Sequence, residues 1–214
     1  MERFRLHATT NFKFMALKLI AAGDSFIWGS ELADSPHGGA DGYSRNTFVA
    51  LLAKEFDYEY NCVAYPGASN RDIAKQVRYS IKDNLAFVIV CWSWPTRDNQ
   101  LTSDNEIIST QEYLENHGLC YLFTCADNCV VSNHPKIKWQ NWFLFPVISN
   151  SGWHSNENPR GFYQWALEHK YQLAAKDKHP LEQAHVDAAN LMKDKFNELV
   201  KKHLEQNSSR NSIS

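Results

Sequence analysis

The chain of 214 residues is long enough to bury one full hydrophobic core and short for two, so a single domain is expected. Its 22 basic and 24 acidic residues give a net charge of −2, which excludes the broad basic field that drives nonspecific nucleic-acid binding. No apolar run approaches the roughly 18 residues of a membrane-spanning helix, so neither nucleic acid nor a membrane is an expected partner.

Residues 1–14 mix Arg, Lys, His, Thr and Phe and lack the apolar core and small-residue cleavage site of a secretory signal. They read as an extension that the domain, residues 15–205, does not need, and the expected location is the cytoplasm. The five cysteines, Cys62, Cys91, Cys120, Cys125 and Cys129, are odd in number, and the first three fall in strand-like runs. Buried free thiols in a reducing compartment are the expectation.

In chain order, apolar runs alternate with helical periodicity, the pattern of βαβ units and a mainly parallel sheet. Residues 17–22 form the first strand. Residues 44–55, with Phe48, Leu51, Leu52 and Phe56 at helical spacing, form the first clear helix, and residues 58–64 form the second strand. Pro66-Gly67 breaks the pattern, and Asn70 is placed to cap a helix over 71–81 in which Ile73, Val77 and Ile81 share a face. Residues 85–92 are apolar throughout, as a central strand covered on both faces should be. A helix over 106–116 stops near Gly118, and residues 119–125 form a fourth strand. Residues 126–158 are irregular, with a short strand at 142–148, and such a stretch often lines a site. A helix follows at 160–169, Pro180 opens a long helix to about residue 204, and 206–214 form a frayed polar tail. The expected fold class is α/β, a three-layer α/β/α sandwich with a mainly parallel sheet of about five strands.

The junction after the first strand carries the clearest chemistry. Gly23 permits a tight exit, and Ser25 then opens a helical turn at the carboxyl edge of the sheet, where α/β folds bind ligands. Asp24 and Ser25 are equally ordinary helix caps. A nucleophilic serine needs a base, and His179, in Asp177-Lys178-His179-Pro180 ahead of the last helix, is the candidate among nine histidines. Arg97 lies just past the central strand, at the same edge, where it either faces a substrate or forms a surface ion pair. Of the tryptophans at 92, 94, 139, 142, 153 and 165, Trp94 is the candidate to line a ligand pocket, while core packing accounts for most. Cys120, Cys125, Cys129 and His134 lack a Cys-x-x-Cys knuckle, so no metal is expected there.

Four separated blocks of the chain resemble the SGNH or GDSL-type esterases and lipases. Ala22-Gly23-Asp24-Ser25-Phe26-Ile27-Trp28-Gly29 matches the family's Gly-Asp-Ser block, which implies Ser25 as nucleophile. Asn61 to Asn70, containing Tyr65-Pro66-Gly67, is similar to the block whose glycine amide donates to the oxyanion, which implies that role for Gly67. Asp177-Lys178-His179-Pro180 with His185 is similar to the last block, implying His179 as base and Asp177 as the acid that orients it, although Asp177 stands two residues before the histidine rather than the usual three. A backbone carbonyl is the alternative orienting group. The third block departs from the family: its Gly-x-Asn-Asp is replaced by Ser93-Trp94-Pro95-Thr96-Arg97-Asp98, and the oxyanion asparagine is missing. Asn70 or Ser93 is expected to stand in for it. The resemblance implies a serine acyl hydrolase without cofactor or metal, acting on a small-molecule or carbohydrate ester. Similar sequences with altered third blocks occur in tailed-virus genomes, and the rival expectation is a catalytically impaired binding or structural module.

Overall fold

The computed structural model describes residues 17–35, 42–81, 86–127, 134–146 and 161–211. The expected extension at 1–14, Cys129 and Trp153 lie outside these residues. The central element is a sheet of four parallel strands: β1 (Lys18–Ala22), β2 (Glu59–Cys62), β3 (Ala86–Trp92) and β4 (Cys120–Cys125), in the order β2-β1-β3-β4. The helices are α1 (Ser25–Trp28), α2 (Phe48–Glu55), α3 (Asn70–Ser80), α4 (Gln100–Asn116), α5 (Phe162–Glu168) and α6 (Glu182–Asn211).

Two cores separate across the sheet. Phe87, Ile89 and Cys91 of β3 face one core with residues of α2, α5 and α6, whereas Ala86, Val88, Val90 and Trp92 face the other with residues of α3 and α4. Successive side chains of a strand point to opposite faces, so a fully apolar β3 serves both cores. Trp92, Trp142 and Trp165 are buried in them, as core tryptophans should be.

The chain leaves β1 to build β2 on one side and returns to place β3 on the other. This reversal opens a crevice beyond the carboxyl ends of β1 and β3, the usual ligand position in such sheets. The fifth strand expected at 142–148 is represented among the described residues by a single parallel bridge, Phe123 with Trp142, reinforced by Phe143 N–H donating to the Phe123 carbonyl at 2.8 Å.

Several helix ends differ from expectation: α2 begins at Phe48, capped by Thr47, rather than at 44, and α6 begins at Glu182 rather than at Pro180 and runs to Asn211, through the start of the expected frayed tail. Helix α3 is capped by Ser69 with Asp72 in a reciprocal capping box, so Asn70 is not the cap. Helix α4 begins at Gln100 because Asn99 caps it, accepting from Thr102 N–H at 2.9 Å; its first turn is polar and carries no apolar period. No helix among the described residues is long and apolar enough to cross a membrane.

Candidate active site

Gly23 is required where β1 ends. A Cβ added there would lie 2.5 Å from Ile27 Cγ1 and 3.2 Å from the Cys91 carbonyl oxygen, so any side chain would push α1 off the sheet. The Gln76 side chain, reaching from α3, accepts from Gly23 N–H at 2.9 Å and donates to its carbonyl at 3.0 Å. With the strand exit fixed in this way, Asp24 caps α1 and Ser25 becomes its first residue. The helix lasts one turn because Gly29 takes a left-handed conformation, φ 79°, and its N–H returns to the Ser25 carbonyl.

Ser25 Oγ lies 2.9 Å from His179 Nε2, so the hydroxyl donates to the ring nitrogen. The structure therefore brings together residues 154 positions apart, as expected from the two ends of the sequence pattern. His179 arrives after Lys178, whose φ is +60°, and its carbonyl accepts from Ala174 N–H at 2.8 Å. The ring packs edge-on against Phe26, 5.3 Å between centroids.

The acid on the other side of the imidazole is Glu31 and not Asp177. Glu31 Oε2 lies 2.7 Å from His179 Nδ1, while Asp177 contributes only its backbone N–H, which donates to the same carboxylate at 3.2 and 3.3 Å. The Asp177 side chain is about half exposed and sits 3.7 Å from Lys176 Nζ. Glu31 lies in a turn two residues past the Gly29 cap of α1, with a left-handed φ of 68°. Burial acts most strongly on Glu31 and would raise its pKa. Hydrogen bonds from His179 and from the Asp177 amide, with the attraction of the imidazole, outweigh it and hold the carboxyl below its ordinary range. An ionised Glu31 accepts, so the Nδ1 proton stays on the ring and Nε2 is free to take the serine proton.

Asn70 and Ser93 are excluded as replacements for the missing asparagine because both are used inside the fold. Asn70 Oδ1 accepts from Ser93 N–H at 2.8 Å, and its Nδ2 donates to the Ser93 carbonyl and to Ser103 Oγ, each at 3.0 Å. Ser93 Oγ donates to Asp24 Oδ2 at 2.7 Å, and both side chains are fully buried. Asp24 also accepts from Phe26 N–H at 3.1 Å and from Arg97 Nη1 at 3.3 Å. Burial dominates Asp24 and raises its pKa despite these donors. Arg97 thus pairs with Asp24, and its guanidinium carbon lies 5.1 Å from the centroid of the Trp94 ring.

Trp94, half-buried, stands 5.6 Å from Phe26 and 6.4 Å from Tyr163 between centroids, forming an aromatic wall beside His179. Gly67 has φ 81°, and a Cβ built on it meets nothing within 4 Å, so it faces open space. Among the described residues the backbone N–H groups of Ser25 and Gly67 donate to no protein acceptor.

His185 is buried behind the site. Its Nδ1 accepts from Phe48 N–H at 3.2 Å and its ring hydrogen-bonds the Pro180 carbonyl, tying α2 to the residue after His179. Burial lowers its pKa to about 3, so it is neutral.

Glu31, Asp177 and His179 are also the one cluster of potential metal ligands among the described residues, with ligand atoms within 4.8 Å of one another. The direct bond between Glu31 and the protonated Nδ1 accounts for their approach without an ion. Cys120 donates to the Leu199 carbonyl and Cys125 is buried; the four described cysteines form no disulfide with one another.

No protein-family model matches the sequence, and neither does any curated protein. Solved structures do. A protein from Desulfitobacterium hafniense described as lipolytic and of the G-D-S-L family superposes with a TM-score of 0.55 at 15% identity, over 84% of this chain and 99% of that one. The chain has the fold of a GDSL-type hydrolase. The psychrotrophic esterase EstA from Pseudoalteromonas superposes on this GDSL-type fold with a TM-score of 0.52 at 12% identity, over 88% of this chain and 99% of that one. The salicylyl-acyltransferase SsfX3 of a tetracycline biosynthetic pathway gives 0.50 at 13% identity, over 88% of this chain and 57% of its own.

What sequence reasoning missed is Glu31. The usable signal is an acid just past the one-turn helix closed by Gly29, yet no spacing rule requires the chain to double back there.

Proposed function

We propose that the protein is a serine acyl hydrolase with Ser25 as nucleophile, His179 as general base and Glu31 as the acid that orients the imidazole. The observation that carries this reading is the continuous chain from Ser25 Oγ to His179 Nε2 at 2.9 Å and from His179 Nδ1 to Glu31 at 2.7 Å. A serine hydroxyl is a weak nucleophile until a positioned base removes its proton, and an imidazole held in one tautomer by a carboxylate supplies that base.

His179 takes the Ser25 proton as Oγ attacks the ester carbonyl, and the imidazolium formed is stabilised by Glu31. The Ser25 and Gly67 amides, free of protein acceptors among the described residues, are the donors proposed for the oxyanion. His179 returns its proton to the leaving alcohol, and a water activated by the same nitrogen then releases the acid from Ser25.

For the substrate we propose a short acyl ester on a carbohydrate or other small molecule. The aromatic side chains of Trp94 and Tyr163 beside Phe26 offer surfaces on which the C–H face of a sugar ring could stack. The test is active-site labelling with a fluorophosphonate probe, located by peptide mass spectrometry. Modification of Ser25 in the folded protein, abolished by Ser25→Ala, is expected; a folded protein left unmodified would favour a binding module built on the same fold.

A further inference from the structure

This inference rests on the serine-hydrolase reading and starts from the oxyanion site, where the two side chains expected to replace the missing asparagine, Ser93 and Asn70, are committed elsewhere. Two amides on two separate turns are left, one after β1 and one after β2. Their mutual position is catalytically significant, because donors stabilise an oxyanion only when held where the charge develops, without reorganising during the reaction.

A single side chain links the two turns. Arg97 Nη1 donates to the carbonyl of Ala68, the residue after Gly67, at 2.8 Å, and to the carboxylate of Asp24, the residue before Ser25, at 3.3 Å. The arginine is itself held. Its backbone belongs to a 3-10 turn, Pro95–Arg97, that leads directly from β3, and the next residue, Asp98, accepts from Arg71 N–H at the start of α3 at 3.1 Å. Its guanidinium stacks near Trp94, and Asp24 is locked by Ser93 and Phe26. Both bonds leave the one nitrogen Nη1, whose two N–H directions are fixed by the guanidinium plane, whereas a lysine ammonium on a flexible stem has no such fixed orientation.

We propose that Arg97 takes over the work of the absent asparagine as a positioning residue: it clasps the Gly67–Ala68 turn to the Asp24–Ser25 turn and so fixes the two amide donors relative to each other for reaction with neutral acyl esters.

The test compares wild type with Arg97→Met, Arg97→Lys and the double variant Asp24→Asn/Arg97→Met. The readouts are separate kcat and KM values on p-nitrophenyl acetate and on an anionic aryl succinate monoester, the rate of Ser25 phosphonylation by a fluorophosphonate, and the melting temperature. Arg97→Met is expected to lower kcat and the phosphonylation rate on the order of 10²-fold, with KM for the neutral ester little changed. Arg97→Lys is expected to recover only part of that loss. The double variant removes the buried unpaired carboxylate, so its melting temperature should recover while kcat stays low. Recovery of wild-type kcat in the double variant would overturn the proposal, because Arg97 would then only neutralise Asp24. A loss confined to KM for the anionic ester would overturn it in favour of an arginine that reads substrate charge. Equal phosphonylation of wild type and Arg97→Met also sinks the clasp and leaves the hydrolase reading intact, whereas a wild type that never reacts sinks both.

Discussion

Asp24 and Ser25 are neighbours on one turn, yet they head two polar networks of opposite character. From Asp24 the bonds run inward, to Ser93, Phe26 and Arg97, and through Ser93 to Asn70 and Ser103. From Ser25 they run outward in single file through His179 to Glu31, whose side chains retain 13% and 16% exposure. Apart from the partly exposed Arg97 guanidinium, the inward network is buried and each of its side chains bonds to at least one other protein group, so it serves to fix the backbone. The outward one holds a hydroxyl by a single transferable proton at the edge of solvent. Burial and the number of protein partners, more than residue type, separate the two networks here.

The sharpest way to break this contrast is to remove one head of each network. Ser25→Ala is expected to lower kcat/KM on p-nitrophenyl acetate about 10³-fold or more with the melting temperature nearly unchanged. Equal rates in wild type and variant would remove the reactive character of the outward network. Glu31→Gln should follow, with a loss on the order of 10²-fold in kcat, because an amide that presents its NH2 to Nδ1 favours the wrong tautomer. Asn70→Ala should do the reverse, costing about 1–3 kcal/mol of stability by leaving Ser93 N–H and carbonyl unpaired, as measured by denaturant unfolding. Activity per folded molecule should change less than stability does.

The inward and outward networks were not equally legible in the sequence. The strand before Gly23 and the loop before α6 are local patterns, and α/β topology brings both to one sheet edge, so the approach of His179 to Ser25 could be read without coordinates. Glu31 could not, because its approach depends on a left-handed residue in an unpatterned turn. Asn70 and Ser93 were placed at the correct edge with the wrong orientation: strand and helix periodicity says which segment reaches an edge, and not whether a polar side chain there turns into the fold. The same limit applies to the fifth strand, since a single bridge at Trp142 has no periodicity to read.

Acid probes a buried polar contact that belongs to neither network, that of His185. His185 is neutral in the folded protein, with a pKa of about 3 against an ordinary 6.5, so between those values the unfolded chain binds a proton that the folded one does not. Stability should therefore fall as pH is lowered from about 6.5 toward 3, by about 1.4 kcal/mol per pH unit from this group. His185→Gln should flatten that slope in urea titrations. An unchanged slope would mean that the imidazole does not bridge Phe48 and Pro180 as a buried neutral ring.

The smallest expected effect separates two acids that the sequence cannot rank. Asp177 is the acid expected from its place two residues before His179, but it reaches Glu31 through its backbone N–H, and its own side chain is 54% exposed beside Lys176. Asp177→Asn keeps the N–H and the side-chain volume, so kcat/KM on p-nitrophenyl acetate should stay within about 2-fold of wild type, in keeping with the small worth of exposed ion pairs. The contrast with Glu31→Gln is the informative quantity. Were Asp177→Asn to lose as much as Glu31→Gln, the outward chain would run through both carboxylates; were it alone to lose activity, the acid would be Asp177 and the turn at Glu31 would be only a brace for the His179 loop.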